Sequence, residues 1–398
     1  MFLIVLGVRI IIPLIKDKSG NCNNVNNYRG ITLSSIISKL FELCLANLYG
    51  DKLNTSYLQF GFKKKLGCAN AIYALRSVVD YYVKYNSTVN ACLLDVSKAF
   101  DRVNYYALFI KLMKRNIPIE FLNVLINWYS KSCGIVKWLD AFSSCFALRN
   151  GVRQGGVLSP ILFAVYVNDF VEKLSFNKLG CYIGDMFIGC IVYADDIILL
   201  SSSLSMLQRM LRVCESEAEY VDIKFNVKKS MIIRFGTRCM KECVSLTLQG
   251  SEISYVNEAK YLGVYILSGQ KFKISLDKPL RKFCRSYNWI YSKCKGLAND
   301  SVVCFLINTY CKPFLLYGSE AVVFSKTDMN RLNHAWHSVF YKIFKLNDMD
   351  NINSVLSFMN SSSLLESLNI RRNTFSSGLA KSNNMYMKFL YDHFKVTT

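Results

Sequence analysis

Histidine is scarce in this 398-residue chain, at 3 residues, and proline numbers only 5. His334 and His337 would share one helix face, but no carboxylate or cysteine pair stands near them in sequence. They do not read as zinc ligands. No CxxC pair occurs, and the one close pair, Cys239 and Cys243, lacks a second pair at zinc-finger spacing. No stretch approaches 18 uninterrupted apolar residues, so nothing predicts a membrane span. No internal repeat or low-complexity tract occurs, which excludes solenoids and compositional linkers. Acidic residues are also few: 28 Asp and Glu against 49 Lys and Arg leave a net charge of +21. That much positive charge repels itself in a compact fold and calls for a polyanionic partner, nucleic acid first of all.

Apolar residues are plentiful, at 52%, and exclude general disorder. The 15 cysteines are scattered through apolar stretches, as buried free thiols are. An odd, dispersed set fits a reducing compartment, so the expectation is an intracellular chain, nuclear or cytoplasmic, and not a secreted one. Met1 to Ile15 is almost wholly apolar. It lacks a leading basic region and a cleavage site, and Arg9 interrupts it, so a buried strand is expected rather than a signal peptide.

Hydrophobic periodicity predicts helices over Ile36–Tyr49, Ala69–Tyr85, Asn104–Arg115, Ile119–Lys131 and Leu204–Tyr220. Another starts at Ser159, with Pro160 in its favoured first position, and runs to Lys173. Strands are expected over Asn90–Val96, Ile188–Tyr193, Ile197–Ser201, Met231–Phe235, Val244–Leu248 and Tyr261–Leu267, with a hairpin within Gly134–Asn150. From about Ser275 the pattern is helical and basic. The sum is an α+β core followed by a helical region.

The chemistry lies at two strand ends. Ala194-Asp195-Asp196 sits at a tight turn between two apolar strands, and Ala91-Cys92-Leu93-Leu94 runs into Asp95. Side-by-side carboxylates repel one another, and a divalent cation is the simplest partner for them. Gathered together, Asp95, Asp195 and Asp196 would form an oxygen-rich site for two magnesium ions about 4 Å apart, manganese being a substitute.

Neighbouring segments carry a resemblance. Asp95-Val96-Ser97-Lys98-Ala99-Phe100-Asp101-Arg102-Val103, Asn150 to Pro160 (NGVRQGGVLSP) and Tyr193-Ala194-Asp195-Asp196 resemble the first three catalytic motifs of reverse transcriptases from retrotransposons without long terminal repeats, the LINE type. Asn226-Val227-Lys228-Lys229-Ser230 is similar to their fourth motif, and Tyr261-Leu262-Gly263 to their primer-grip strand. Asn27 to Leu33 (NYRGITL) and Gln59-Phe60-Gly61-Phe62 resemble their fingers motifs. All occur in the family's order over about residues 10 to 270.

The resemblance implies a right-hand polymerase: truncated fingers over 1–90, a palm with an antiparallel sheet and part of the fingers over 91–270, and a basic helical thumb over 271–398. It implies an RNA-directed DNA polymerase acting on an RNA template, a DNA primer and deoxynucleoside triphosphates, with no membrane partner. Asp95, Asp195 and Asp196 would hold the metals. Lys229 would protonate the leaving pyrophosphate, although a solvated strand-end lysine looks the same. Phe100 would exclude a ribose 2′ hydroxyl. Gln154 and Gly155 would lie by the incoming nucleotide, and Lys63 by its triphosphate, although Lys63-Lys64-Lys65 also fits a solvated face. Arg29 would meet an RNA backbone or a salt-bridge partner, and Asp101 is expected to be structural. Lys271, Lys273, Lys278, Arg281, Lys282, Arg285, Lys293 and Lys295 would grip duplex phosphates. The resemblance also implies a chain that starts inside the fingers, without endonuclease or RNase H segments. Two alternatives stay open: a catalytically silent RNA-binding protein on the same scaffold, and an intron maturase-type polymerase.

Overall fold

The computed structural model describes residues 7–346, 348–358 and 362–394. The chain folds into two compact units, each built from separated stretches, so neither coincides with one of the three sections read along the sequence. Unit 1 takes in Met1–Phe62, Cys92–Ser230 and Ser245–Ser254; unit 2 takes in Lys63–Ala91, Met231–Val244 and Tyr255–Thr398. One strand is shared in sequence. Its first residues belong to unit 2 and its last to unit 1.

In unit 1, β1 (Val8–Ile15) and β2 (Tyr28–Leu33) form an antiparallel hairpin, with Ile12 opposite Ile31. The strand expected over Met1–Ile15 thus holds from Val8 on, its start lying outside the described residues, and it is mostly half-exposed rather than buried. Helix α1 (Ile36–Tyr49) has the span that the periodicity predicts. It buries Ser38, Glu42 and Leu45 and exposes Ile36, Ile37, Leu40, Leu43 and Leu48, the reverse of an ordinary amphipathic helix. The cause is a cation beneath it, described below. Two further helices, α3 (Tyr105–Lys114) and α4 (Ile119–Ser130), meet at Pro118 and lead to β4 (Cys133–Trp138), which pairs in parallel with β1.

The centre of unit 1 is α5 (Ser159–Phe176). Phe163, Tyr166, Val167 and Phe170 on it are fully enclosed, so it is apolar on nearly every side. Beside it stand the hairpin β5 (Cys190–Tyr193) and β6 (Asp196–Ser201), and α6 (Leu204–Tyr220). Lys111 ties α3 to α5 and α6, its ammonium lying 2.8 Å from Asp169 and 2.9 Å from Glu217. Lys173 also pairs with Glu217. A fully buried carboxylate with two cations is compensated; Glu217 alone would not be.

Unit 2 holds α2 (Cys68–Lys84), β7 (Met231–Phe235) and the start of the shared strand β3 (Val89–Asp95), whose end belongs to unit 1. The strand expected over Tyr261–Leu267 is instead two, β8 (Glu258–Tyr261) and β9 (Val264–Leu267), joined by a turn at Leu262 and Gly263, both with positive φ. A Cβ on Gly263 would lie 2.8 Å from the Tyr317 ring, whose hydroxyl donates to the Leu262 carbonyl at 2.8 Å. That fit needs glycine. The strand expected over Val244–Leu248 shrinks to Thr247–Leu248 in unit 1. The helical remainder comprises α7 (Asp277–Cys294), α8 (Asp300–Tyr310), α9 (Lys312–Leu316), α10 (Lys326–Phe344), α11 (Met349–Phe358), α12 (Leu364–Ala380) and α13 (Met385–Phe394). Most of its core is one cluster around Phe283, Ile307, Leu332 and Trp336. On α7 that side is apolar, while Lys278, Arg281, Lys282 and Arg285 lie on exposed positions. Among the described residues no helix is long and apolar enough to cross a membrane.

Candidate active site

Asp95 ends β3, where six buried residues give way to a half-buried carboxylate. Its backbone is stitched to the segment that carries Lys229. The Asp95 N–H donates to Ser230 Oγ at 3.2 Å, the Asn226 N–H donates to the Asp95 carbonyl at 2.8 Å, and the Ser97 N–H donates to the Lys224 carbonyl at 2.9 Å. Three influences act on the Asp95 carboxyl. Partial desolvation is the largest and raises its pKa; the Lys229 charge lowers it, and the Asp195 charge raises it again. The two carboxylates therefore stand close enough to repel, with Lys229 beside them.

Asp195 occupies the corner of the β5–β6 hairpin. Tyr193 pairs with Asp196, leaving Ala194 and Asp195 as a two-residue turn. Ala194 has φ 57°, as the primed turns of tight hairpins demand. Desolvation raises the Asp195 pKa, and the Arg29 guanidinium on β2 pulls it back. Asp101 is raised by desolvation too, and is lowered by the Gln154 amide and by Lys98, Lys16 and Arg29. Arg29 thus faces the carboxylates.

This donor set suits a divalent cation. Asp95 and Asp195 supply hard oxygen atoms, and their mutual repulsion is what a cation relieves. Among the described residues no three His, Cys, Asp or Glu side chains are grouped closely enough to hold a metal. Asp196 opens β6 directly after the turn, and successive residues of a strand point to opposite faces.

The loop from Gly151 to Gly156 lies against the turn after Asp95. The Val152 N–H donates to the Phe100 carbonyl at 2.8 Å, and the Gly151 N–H to the Val103 carbonyl at 2.9 Å. A Cβ on Gly151 would come within 2.9 Å of the Asp101 carbonyl oxygen. Gln154 donates from Nε2 to Asp101 Oδ1 at 3.0 Å, and its carbonyl accepts the Thr32 N–H at 2.9 Å. Phe100 is half-buried, stacked on Phe163 at 4.7 Å between ring centroids, with Phe62 edge-on at 6.1 Å. Asp95, Phe100, Gln154, Gly155, Asp195, Asp196 and Lys229 all belong to unit 1. Lys63 opens unit 2, where burial pulls its ammonium down to about 8. In unit 2 as well, burial and the neighbouring His334 lower the His337 pKa.

Two supporting groups carry no chemistry legible in the sequence. The first is Gln59, buried against the Ala194–Asp195 turn. The second is the pair Glu42 and Arg153. Arg153 donates to Ser38 Oγ at 2.5 Å and to Glu42 Oε1 at 3.3 Å, and lies 4.3 Å over the Trp128 ring. Glu42 Oε2 accepts the Leu158 N–H at 2.9 Å. The available signal was Ser38 and Glu42, four residues apart on a mostly apolar helix, a spacing that puts both on one face.

The chain matches the family model "Reverse transcriptase (RNA-dependent DNA polymerase)" over residues 15–266. It belongs to the reverse transcriptase family, whose α+β right-hand polymerase fold agrees with the elements described. Its relatives put it on the LINE-type branch of that family. It is 25% identical over 323 residues to the RNA-directed DNA polymerase from mobile element jockey of Drosophila funebris, covering 78% of this chain and 34% of that protein. It is also 25% identical over 266 residues to the Pol polyprotein of the type-2 retrotransposable element R2DM of Drosophila melanogaster, covering 65% of this chain and 25% of that one. The chain thus spans about a third or less of the length of these relatives. Among solved structures, Candida albicans telomerase in complex with a telomeric RNA fragment aligns with a TM-score of 0.49 at 11% identity, over 99% of this chain and 63% of that one.

Proposed function

We propose that the chain is an RNA-directed DNA polymerase of a LINE-type element, adding deoxynucleotides to a primer 3′ hydroxyl on an RNA template. The observation that carries this reading is Asp95 beside Asp195, each raised by desolvation and the first raised further by the second, in a member of this family. Divalent ions held there, two of magnesium or manganese, would supply the Lewis acidity that phosphoryl transfer needs. Asp95 and Asp195 bind them, with Asp196 contributing from the adjacent position. Lys229, next to Asp95, donates a proton to the leaving pyrophosphate. Lys63 meets the triphosphate charge, and Arg29 an RNA backbone. Gln154 and Gly155 line the base and sugar, and the fingers, palm and thumb sections follow the boundaries at 90 and 270. The exposed cations of α7 contact duplex phosphates without reading sequence.

The test is extension of a primed homopolymer RNA by the purified chain, with magnesium against manganese. Template-dependent extension supports the reading. RNA retention with no extension under either ion would favour the silent RNA-binding alternative, to which the net charge of +21 also points.

Phe100 supplies a second measurement. Its ring is fixed by stacking on Phe163, so it acts as a rigid wall beside the sugar. Phe100→Ala is expected to raise ribonucleotide incorporation relative to deoxynucleotide by about 10–200-fold, the range one steric contact can discriminate. Unchanged sugar selectivity would show that Phe100 only packs.

A further inference from the structure

Leu58, Gln59 and Phe60 run beside β5 as an added strand. Gln59 bridges Val192 in parallel; the Phe60 N–H donates to the Val192 carbonyl at 2.8 Å, and the Val192 N–H donates to the Leu58 carbonyl at 3.0 Å. All three residues are fully buried. This strand ends at the Asp195 turn. The Gln59 side-chain oxygen accepts two backbone N–H groups there, that of Gly61 at 2.9 Å and that of Ala194 at 3.2 Å. Gly61 lies so close to the turn that a Cβ on it would stand 2.5 Å from the Ala194 nitrogen and 3.2 Å from the Tyr193 carbonyl carbon.

The chemistry of this contact is selective. Ala194 is in the left-handed region, where a residue with a side chain is strained unless its surroundings hold it. Its N–H is buried and needs an acceptor. A carboxylate would accept equally well but would add a third negative charge beside Asp95 and Asp195. A carboxamide accepts without charge. Its other end is less well served: Gln59 Nε2 is buried with no hydrogen-bond partner, a desolvation cost that an apolar side chain of the same size would avoid. Packing alone does not account for a glutamine here.

We infer that Gln59 is a positioning residue of the polymerase site: its side-chain oxygen pins Ala194, and through it holds the Asp195 carboxylate at a fixed height beside Asp95. The functional consequence rests on the polymerase reading above; the structural brace does not.

The test compares the parent with Gln59→Leu, which keeps the bulk and removes the acceptor, and Gln59→Glu, which keeps an acceptor oxygen. Amide hydrogen exchange across residues 190–196 reads the brace directly. Primer extension reads its use. In Gln59→Leu the Ala194 amide is expected to exchange at least tenfold faster, and kcat to fall about 10–100-fold, as displacement of a reacting group by about 1 Å costs. RNA affinity and nucleotide KM are expected to stay within about twofold, since ground-state binding is untouched. Gln59→Glu is expected to restore the Ala194 protection. Ala194 exchange equally slow in Gln59→Leu and the parent would overturn the inference. So would faster exchange spread over all of unit 1 with RNA binding and kcat lost together, because that marks a merely structural residue. A parent that extends no primer, with Ala194 freed in Gln59→Leu, would uphold the brace and overturn the polymerase reading instead.

Discussion

Asp195→Asn is expected to reduce magnesium-dependent extension by about a thousandfold or more while leaving RNA affinity unchanged. A carboxylate that binds a catalytic cation supports several kcal/mol of transition-state charge stabilisation, and each 1.36 kcal/mol is about tenfold in rate. The amide keeps the size and the turn but cannot neutralise a divalent ion. The same substitution has an opposite effect on stability. Asp95 and Asp195 hold their protons more tightly folded than unfolded, because both are desolvated and Asp195 adds its charge to Asp95. Where the native state binds more protons, stability falls as pH rises. The metal-free parent should therefore lose stability as pH climbs from the ordinary carboxylate range through the raised folded values, and magnesium should restore it. Asp195→Asn should flatten that dependence and melt no lower than the metal-free parent at pH 7. Thermal melts with and without magnesium, alongside extension rates, check both halves. Parent-level extension by the variant would remove Asp195 from the site. A variant that unfolds would show the carboxylate to be structural.

How much of this was legible beforehand differs from residue to residue, for physical reasons. The helix over Ile36–Tyr49 was readable end to end, because periodicity is a local signal. Its buried face was not. Apolar residues normally define the inward side, yet Arg153, more than a hundred positions away, draws Ser38 and Glu42 inward. Asp95 beside Asp195 could be anticipated, since two buried strands each end in a carboxylate. The split of Tyr261–Leu267 turned on Gly263, whose closeness to Tyr317 depends on a residue distant in the chain. Gln59 was visible as part of a motif, but its task lies in one contact to a backbone amide 135 residues further on.

Glu42→Gln is expected to cost about 3–5 kcal/mol of stability, the range for removing one partner of a buried ion pair. Glu42 and Arg153 are almost wholly enclosed, at 1% and 3% exposure, so solvent screening offers little relief. Burial is the main cause pulling the Arg153 pKa down to about 10, the Arg9 charge adds to it, and Glu42 acts the other way. Arg9 is itself buried, held by Ser132 Oγ at 3.0 Å. Losing the Glu42 charge leaves two guanidinium groups in one interior region without an anion. It also loosens the Leu158 N–H that opens α5, and with it the loop bearing Gln154 and Gly155. The unit 1 transition should fall by about 10 °C, at roughly 2–4 °C per kcal/mol for a domain of this size. Added salt should not reproduce that loss, because the pair is shielded from bulk ions. Arg153→Met in the Glu42→Gln background should recover part of it, since removing both charges costs less than stranding one. A Glu42→Gln melt within about 0.5 kcal/mol of the parent, the usual range for a surface change, would mean that Ser38 and the Trp128 ring suffice to hold Arg153.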